Sequence, residues 1–456
     1  GMSRVLLIFT LVVCVVVCKK VAIVGSGIGG SSLSYFLSKS VSKCDDVAAA
    51  PDVTVYEKNT RTGGRAHKIV LAGREVQVGP SIVTTFEKTL VNLLKELNVS
   101  QSQPEQLSAT LPEFGVWNGT GFLIYVDKRL TATQLLSYLA DIGIFGAAEL
   151  LLDSEILLEK VSESYANIDT FKTMEDWLNP YSMASYVAKS TESFLDSTIA
   201  STELKQLLQA AFRGTYMQQL TNLNSWLGVA ATGSALETIT SIDPPTVVTK
   251  LLELSKAQVR LSTEVTEITK TASGYQVTDS KGGKDVYDAV VIAAPMEQAK
   301  IKFTDITMPN VIQRNFTHLY LYVINGLLNP KFFGLTTPEE VAEVDILTIK
   351  EAGFTWAYTN YEGTTKNGLI NRRVFAYKPM SNETLHEMFS TINEMQLIDV
   401  PYAFCGLEPT TTFQPIVLAE GLYNINAMES VVTSMGGSVH NANNIAKLIM
   451  ANDVAC

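Results

Sequence analysis

The sequence predicts an α/β protein in which a parallel-sheet domain is interleaved with a second, α+β domain. Short, continuous apolar runs, typical of buried parallel strands, occur at 21–24 and again at 288–295. Long segments with helical or alternating periodicity separate them. A length of 456 residues is too great for one simple domain, and 46% hydrophobic against 18% charged residues indicates a folded chain.

The first apolar run leads into a glycine-rich turn. Gly25, Gly27 and Gly30 have the spacing G-x-G-x-x-G, and Gly29 lies within it. In a Rossmann-like domain the first glycine makes the tight turn, the second lets the backbone approach a pyrophosphate, and the third lets the helix pack on the strand. Ser31–Ser38 continues as a helix whose N-terminal N–H groups would face the phosphates. A glycine-rich turn without a ligand is the alternative interpretation.

An acidic residue and a second pair of glycines follow the next predicted strand. Glu57 stands at the end of that strand, where this fold uses a carboxylate to accept hydrogen bonds from ribose hydroxyls. The polar stretch 40–51 explains the long interval from the first motif as a surface insertion. A G-G-R turn ending in Gly64 and Arg65 comes next, for which a hairpin with a solvated arginine is the alternative.

Composition excludes several classes of function. A net charge of −11 and an absence of any basic stripe argue against nucleic-acid binding. The same acidic balance would not attract an anionic membrane surface. The cysteines beyond residue 18 are too few for a disulfide framework. We expect no zinc site, because the histidines are scattered, at His67, His318, His386 and His440.

Residues 1–18 have the pattern of a secretory signal peptide. Arg4 precedes an apolar run at 5–17 that is short for a membrane span, and the small Cys18 ends it. We therefore exclude this segment from the fold and expect passage through the secretory pathway, with an uncleaved signal anchor as the alternative. Four N-x-S/T sequons agree with that route, at Asn98, Asn118, Asn315 and Asn382.

The order of the predicted elements suggests that the chain leaves the first domain twice. Residues 19–99, 241–300 and 411–456 are assigned to the first domain, and 100–240 and 301–410 to the second, substrate-binding domain. The strongly apolar helices within 134–160 have two interpretations. They are ordinary core helices, or they wall an apolar tunnel or rest on a membrane or lipoprotein surface.

Further elements follow from periodicity and turn signals. They are a hairpin of 67–71 with 75–78, helices at 89–97 and 245–255, strands at 259–261, 275–277, 285–287, 319–324 and 374–377, a closing strand at 421–427 and a closing helix at 435–451.

A strand-end glutamate followed by G-G-R resembles the FAD-binding amine oxidase and phytoene desaturase superfamily, which favours FAD over NAD. The resemblance implies that Arg65 lies against the pyrophosphate and that the backbone of Val265 touches the adenine. It also implies that the closing helix directs its N-terminal end at the flavin pyrimidine, where the helix dipole stabilises negative charge on the reduced ring.

Longer segments narrow the resemblance to a family. They are VAIVGSGIGGSSLSYFL, TGGRAHKIVLAGREVQVGPSIV, FRGTYMQQLTNLNSWLG, YDAVVIAAPMEQ and GLYNINAMESVVTSMGGSVHNANNIAKLI. Together they look like the prenylcysteine oxidases, also called prenylcysteine lyases. The resemblance implies that FAD and molecular oxygen are used to cleave farnesyl- or geranylgeranyl-cysteine to cysteine, the prenyl aldehyde and hydrogen peroxide. It further implies degradation of prenylated proteins in the lysosome or along the secretory route.

This chemistry asks little of acid–base side chains. Sulfur and the allylic double bond both stabilise a cation at the carbon between them, so hydride loss to a flavin is the demanding step. No Ser/His/Asp or paired-carboxylate centre is visible, and no catalytic side chain is assigned. The site has to orient the allylic carbon and exclude water.

The resemblance also suggests where the polar end of the substrate binds. Arg213, Tyr216 and Gln218 match a family segment that reads roughly R-x-N-Y-G-Q, which implies that Arg213 pairs with the cysteine carboxylate. The alternative is that Arg213 caps its helix or bridges the two domains.

Two departures from the family pattern bear on activity. Residues 241–245 replace a Gly-Gly-Asn segment, and the family's Met–Glu pair at the flavin falls at Val432 and Thr433 if His440 is kept in register. The nearby Met428 and Glu429 would then be coincidental. Two other functions therefore remain open: a flavin oxidase acting on another amine or lipid thioether, and a non-catalytic flavoprotein or lipid carrier.

Overall fold

The computed structural model describes most of the chain from residue 19 to residue 451. The segments outside the description are 1–18, 41, 45–46, 100–113, 127–132, 134–136, 138–139, 142, 144–147, 168, 200, 235–238, 342–343, 350–353, 355, 360–367 and 452–456. The predicted signal peptide and much of the apolar stretch 134–160 therefore lie outside the described residues.

The strands are β1 Lys20–Val24, β2 Ser42–Cys44, β3 Val47–Ala49, β4 Asp52–Tyr56, β5 His67–Leu71, β6 Arg74–Val78, β7 Ile82–Thr84, β8 Phe114–Trp117, β9 Phe122–Val126, β10 Ile239–Ser241, β11 Gln258–Arg260, β12 Val265–Thr271, β13 Gly274–Asp279, β14 Lys284–Tyr287, β15 Ala289–Ile292, β16 Lys302–Thr304, β17 Phe316–Leu328, β18 Asp345–Thr348, β19 Trp356–Thr359, β20 Ile370–Ala376, β21 Phe389–Cys405, β22 Val417–Ala419 and β23 Leu422–Asn424.

The α-helices are α1 Ile28–Lys39, α2 Lys88–Glu96, α3 Ala148–Ala166, α4 Met174–Leu178, α5 Ala184–Val187, α6 Thr191–Thr198, α7 Thr202–Tyr216, α8 Ser225–Ser234, α9 Pro244–Ser255, α10 Met296–Ala299, α11 Asn382–Met388 and α12 Met435–Ala451. Short 3₁₀ helices occur at Asn179–Tyr181, Leu220–Asn222, Pro330–Phe333, Pro338–Glu340 and Ile425–Ser430. Among the described residues, no helix has the length and apolarity needed to cross a membrane.

A six-stranded sheet in the order β11-β4-β1-β15-β23-β22 confirms the predicted parallel sheet. Strand β1 pairs in parallel with β4 and β15, and β15 pairs in parallel with β23. Val21 and Ile23 pack into one core cluster, whereas Ala22 and Val24 pack into another. The strand is therefore buried on both faces, which explains why its sequence is continuously apolar.

Different layers cover the two faces of this sheet. Helix α1 packs against α9 and α12 on one face. The small sheet β14-β13-β12-β16 supplies the core on the other, where Ile268, Tyr275 and Val277 join the side chains of β1 and β4. The carboxyl ends of β1 and β4 and the N-terminus of α1 meet at one edge of the sheet, where this fold binds dinucleotides.

A second, mostly antiparallel sheet has the order β21-β17-β20-β19-β18-β8-β9. Its strands come from the segments assigned to the substrate domain, and the strands of the six-stranded sheet come from those assigned to the first domain. The domain limits themselves remain predictions. Helices α3, α4, α7 and α8 share one core cluster with side chains of β1 and β4, so the layers are continuous.

The closing strand is shorter than the sequence predicts. Strand β23 stops at Asn424, and the chain continues as the 3₁₀ helix to Ser430. The side-chain amide of the buried Asn441 donates to the carbonyl oxygens of Asn424 (3.3 Å) and Ile425 (2.8 Å). A side chain of α12 therefore binds the backbone carbonyls at the point where the strand ends.

Candidate functional site

The glycine motif forms an open cradle at the N-terminus of α1. Gly27 is the N-cap, and no side chain caps the helix there. A Cβ atom at Gly27 would meet no atom within 4 Å, whereas one at Gly25 would lie 2.8 Å from the Ala293 carbonyl oxygen. At Gly30 a Cβ atom would collide with the carbonyl oxygen of Gly25. Gly25 and Gly30 therefore serve close packing, and Gly27 leaves space for a ligand.

The G-G-R turn lies directly beside that space. Gly64 has φ +58°, and a Cβ atom on it would lie 3.5 Å from the Cα atom of Gly27. The backbone N–H of Gly63 donates to the carbonyl of Ser26 at 3.1 Å. The two glycine-rich segments, predicted separately, therefore form two sides of one groove.

Glu57 stands at the end of β4 with its carboxylate already occupied. Oε2 accepts from the backbone N–H (3.1 Å) and the hydroxyl (2.7 Å) of Ser26. Oε1 accepts from the backbone N–H (2.9 Å) and the side-chain amide (2.7 Å) of Asn59. Four donors fill the four acceptor positions of a carboxylate. A ribose diol can therefore bind Glu57 only where Ser26 or Asn59 gives up a hydrogen bond.

The backbone just before Val265 is hydrogen-bonded to the backbone of Glu57. Thr263 donates its N–H to the Glu57 carbonyl at 2.8 Å, and the β12 pairing is irregular between Val265 and Glu267. Val265 itself is buried. The Thr263 hydrogen bond brings the backbone just before Val265 to the carboxyl end of β4, where the predicted adenine contact would have to be made.

Arg65 forms an ion pair with Glu429. The Glu429 side chain is 2% exposed and that of Arg65 is 34% exposed. Glu429 is therefore the buried member of the pair, and Arg65 is the accessible one. Among the described residues, the second carboxylate oxygen of Glu429 is buried and has no hydrogen-bond partner. Whether Met428 and Glu429 are coincidental in the family register stays a prediction, but Glu429 does bind the arginine of the predicted cofactor motif.

Val432 and Thr433 are the residues that the family register assigns to the flavin end. In the structure they lie just before α12. Val432 is buried and donates its N–H to the Met428 carbonyl at 3.0 Å. A Cβ atom at Gly437 would lie 3.0 Å from Val432, so the valine packs on the first turn of α12. Thr433 is half-buried just before that helix.

Gly29 connects α1 to this closing segment. A Cβ atom at Gly29 would lie 2.9 Å from the Ile425 side chain and 3.7 Å from Ser438. Arg314, paired with the buried Glu297, donates to the carbonyl of Asn426 at 2.8 Å and supports the same segment from behind. The glycine motif, the G-G-R turn and the start of α12 are therefore brought together.

The three predicted substrate residues lie at the C-terminal end of α7. Arg213 is 1% exposed, and its guanidinium lies 5.2 Å from the ring centroid of Tyr377. This contact joins α7 to the seven-stranded sheet, as the bridging alternative expects. Tyr216 is half-buried; burial, and then the charge of Glu87, raises the pKa of its hydroxyl.

Gln218 ties the substrate segment to the cofactor side. Its amide nitrogen donates to the Cys405 carbonyl (3.1 Å), and its amide oxygen accepts from the Leu407 N–H (2.9 Å). Burial, opposed by the charge of Arg314, raises the pKa of the Cys405 thiol to about 12. Cys405 is thus an unreactive thiol, and Gln218 positions the backbone that carries it.

Sequence reasoning missed Glu87. It precedes α2, is only 4% exposed and lies against Gly436, where an added Cβ atom would collide with its carboxyl group. Burial raises the pKa of Glu87. An acid just before a predicted helix is typical of an exposed N-terminus, so the pattern carried no sign of burial.

His440 occupies an aromatic cluster one turn further along α12. Its ring stacks on Phe171 at 5.5 Å and lies 5.0 Å from Tyr165 and 5.9 Å from Trp177. Because the Thr89 hydroxyl donates to the Tyr165 carbonyl, it has to accept from Nδ1 of His440. Nε2 is buried without a partner, and burial lowers the pKa of His440 to about 3.

The predicted glycosylation sites differ in exposure. Asn98, Asn315 and Asn382 are exposed, whereas Asn118 is half-buried. The side-chain oxygen of Asn118 accepts from the backbone N–H groups of Thr120 (2.9 Å) and Gly121 (3.0 Å). Glycosylation at all four sites remains a prediction.

A matched pair of glycine substitutions tests the cradle. Gly27→Ala should leave the free energy of unfolding of the ligand-free protein within about 1 kcal/mol, because the methyl group enters empty space at a non-strained φ. It should still abolish FAD binding, measured by titration. Gly30→Ala should lose both stability and FAD binding, because its added methyl group collides with the backbone of Gly25. Equal FAD affinity in Gly27→Ala and the parent would contradict the cradle.

Acidification should destabilise the protein through His440. The folded-state pKa is lowered, so the unfolded state takes up the proton first and stability falls as the pH drops below about 6.5. Between pH 7 and pH 5 the parent should lose about 2 kcal/mol more of its unfolding free energy than His440→Gln, measured by urea denaturation. Parallel losses in the two proteins would show that His440 is protonated in the fold.

The chain is similar in sequence to known domains and proteins. Residues 23–97 match the NAD(P)-binding Rossmann-like domain, and the prenylcysteine lyase family matches residues 155–454. A farnesylcysteine lyase of Arabidopsis thaliana is 24% identical over 451 residues, covering 94% of this chain and 88% of that protein. A human prenylcysteine oxidase 1-like protein is 23% identical, covering 94% and 90%.

Solved structures share the fold at lower identity. Cyclohexylamine oxidase from Brevibacterium oxydans IH-35A superposes with a TM-score of 0.65 at 15% identity, covering 96% of this chain and 99% of that one. Putrescine oxidase bound to putrescine gives 0.64 at 14% identity, covering 95% and 99%. The Rossmann-like sheet with its antiparallel partner is therefore the amine oxidase fold, and because the family match spans more than half of its length, the chain belongs to the prenylcysteine lyase family.

Proposed function

We propose that the protein is an FAD-dependent oxidase that cleaves the thioether of farnesyl- or geranylgeranyl-cysteine. The observation that carries the proposal is the convergence, within a member of this family, of the cofactor motifs and the substrate segment. Arg65 and Glu429 pair near enough to Cys405 for their charges to act on its thiol, and Gln218 donates to the carbonyl of Cys405.

The residues of the groove suit a dinucleotide such as FAD. The empty space at Gly27 accepts a pyrophosphate against uncapped helical N–H groups, with Gly64 and Arg65 beside it. Glu57 would hold a ribose in exchange for a hydrogen bond from Ser26 or Asn59, and the backbone of Val265 would approach the adenine. The unpartnered oxygen of Glu429 lies at the same groove and can accept a hydrogen bond from a hydroxyl of the bound cofactor.

When bound, FAD would supply a hydride acceptor that is reoxidised by molecular oxygen to give hydrogen peroxide. Loss of hydride from the allylic carbon next to sulfur leaves a sulfur-stabilised cation. Water adds to this carbon and loses a proton, and the resulting hemithioacetal separates into the prenyl aldehyde and the thiol of cysteine. Thioether, water and oxygen are consumed, so the equation balances without a nucleophilic side chain.

The chain's own residues contribute orientation and exclusion of water. Arg213, buried against Tyr377, would pair with the carboxylate of the cysteine moiety. Tyr216 offers a hydroxyl whose raised pKa keeps it neutral and able to donate. Gln218 acts indirectly, since its amide is occupied by the backbone of 405–407.

The setting proposed for this activity is the secretory pathway, in the lysosome or outside the cell, during the degradation of prenylated proteins. The N-terminal apolar segment and the exposed sequon asparagines support it. A lipophilic substrate also favours peripheral contact with a membrane or lipoprotein.

The proposal predicts a flavin that farnesylcysteine reduces. The purified protein should show a flavin band that bleaches when farnesylcysteine is added without air, and should release peroxide and free thiol when air is admitted. Farnesol, which lacks the thioether, is the matched control and should not bleach the band. If an amine bleaches the band and farnesylcysteine does not, the substrate is an amine and not a prenylcysteine. A flavin that no compound bleaches would indicate a non-catalytic protein.

Replacing Arg213 separates substrate binding from cofactor binding. Arg213→Met should raise KM for farnesylcysteine about tenfold or more, because a buried charge-assisted pair is lost, while the flavin content stays unchanged. Tyr377→Leu removes the ring contact but keeps the guanidinium, so its KM should change less. An unchanged KM in Arg213→Met would show that Arg213 does not bind the substrate and only bridges α7 to Tyr377.

A further inference from the structure

Glu87 lies where four elements of the structure meet. It precedes α2, and its carboxyl group reaches the first turn of α12; Thr84 of β7, Tyr165 of α3 and Tyr216 of α7 complete its surroundings. The two tyrosines respond to its charge, since Glu87 contributes to raising the pKa of each hydroxyl after burial itself. Glu87 therefore stands between the closing helix and the segment proposed to bind substrate.

The contact with α12 is made at its N-terminal N–H groups. The hydroxyl oxygen of Ser434 accepts from the Gly437 N–H at 2.9 Å, as an N-cap does. The carboxyl group of Glu87 lies against Gly436 in the same turn, so close that an added Cβ atom on that glycine would have no room. Ser434 thus caps one of the first N–H groups of α12, and the carboxyl group of Glu87 lies beside the next one.

The glycine at 436 is what admits this carboxyl group. A Cβ atom at Gly436 would collide with the carboxyl carbon of Glu87 and would lie 2.7 Å from its Cβ atom. Moving only the end of the Glu87 side chain would not relieve that overlap. The helix end and the carboxyl group therefore fit each other as a pair.

An ionised carboxylate at this place would oppose the cofactor. The positive end of α12 is the end that faces the flavin ring in the proposed function, and a neighbouring anion would cancel its field. The groups facing Glu87 are Ser434, Thr84, Tyr165 and Tyr216, all neutral, with His440 further along α12 also uncharged. No cation among these groups compensates a charge on Glu87, which favours its protonated form.

We propose that Glu87 is a positioning residue of the flavin site, which binds the N-terminus of α12 as a neutral carboxylic acid and so leaves the positive end of that helix available to the flavin. The inference rests on the proposed function for the identity of the ligand. It adds Glu87 as a residue whose ionisation state sets the rate at which FAD dissociates.

The experiment compares the rate at which FAD leaves the holoprotein on dilution, followed by the recovery of flavin fluorescence, in the parent and in Glu87→Gln. Raising the pH from about 6 to about 9, the range in which buried glutamates ionise, should speed release from the parent about tenfold. Glu87→Gln, which keeps the hydrogen bonds without the acid, should change less than about twofold over that range. Glu96→Gln, an exposed position on the same helix, is the control and should follow the parent.

A second set of variants tests the pairing with Gly436. Gly436→Ala should speed FAD release about tenfold in the parent background but little in Glu87→Gly, which has no Cβ atom to meet the new methyl group. Parallel pH profiles in parent and Glu87→Gln, or an equal effect of Gly436→Ala in both backgrounds, would overturn the inference. A parent protein that binds no FAD would instead refute the proposed function.

Discussion

The ion pair between Arg65 and Glu429 holds the site together. It joins the G-G-R turn near the start of the chain to the 3₁₀ segment near its end. A carboxylate as buried as that of Glu429 is costly without a partner, so the two segments have to approach each other for either to be stable. The groove, the first turn of α12 and the cysteine-bearing strand end are all positioned around this contact.

The path of the chain makes such a contact necessary. The central strands of the parallel sheet come from three separate segments, and the seven-stranded sheet is inserted between them. Loops at the carboxyl ends of β1 and β4 approach the start of α12 only because β15 and β23 align them in parallel. Fold and site therefore depend on the same strand order.

Local signals predicted much of this arrangement, and non-local packing decided the remainder. The roles of Gly25 and Gly30 follow from a spacing of a few residues, and continuous apolar runs identified β1 and β15, because a strand buried on both faces has no polar side. The register at the flavin end was different. Keeping His440 in the family register assigns the Met–Glu pair to Val432 and Thr433, and no local pattern indicates that Glu429 pairs with Arg65. Glu87 was missed because its burial comes from the packing of α2 on α12, and nothing near it in sequence records that contact.

The order of strands in the sheet also governs how the protein can be synthesised. Strand β1 acquires its neighbour β4 within the first tens of residues, but β15 and β23 come from 289–292 and 422–424. As the polypeptide leaves the ribosome, one flank of β1 therefore stays without a partner until most of the chain has emerged, and the unpaired N–H and C=O groups of an apolar strand are exposed for the whole interval. The nascent protein would then be a substrate for chaperones over most of its synthesis, and a premature stop before α12 would leave the sheet without the helix that closes it.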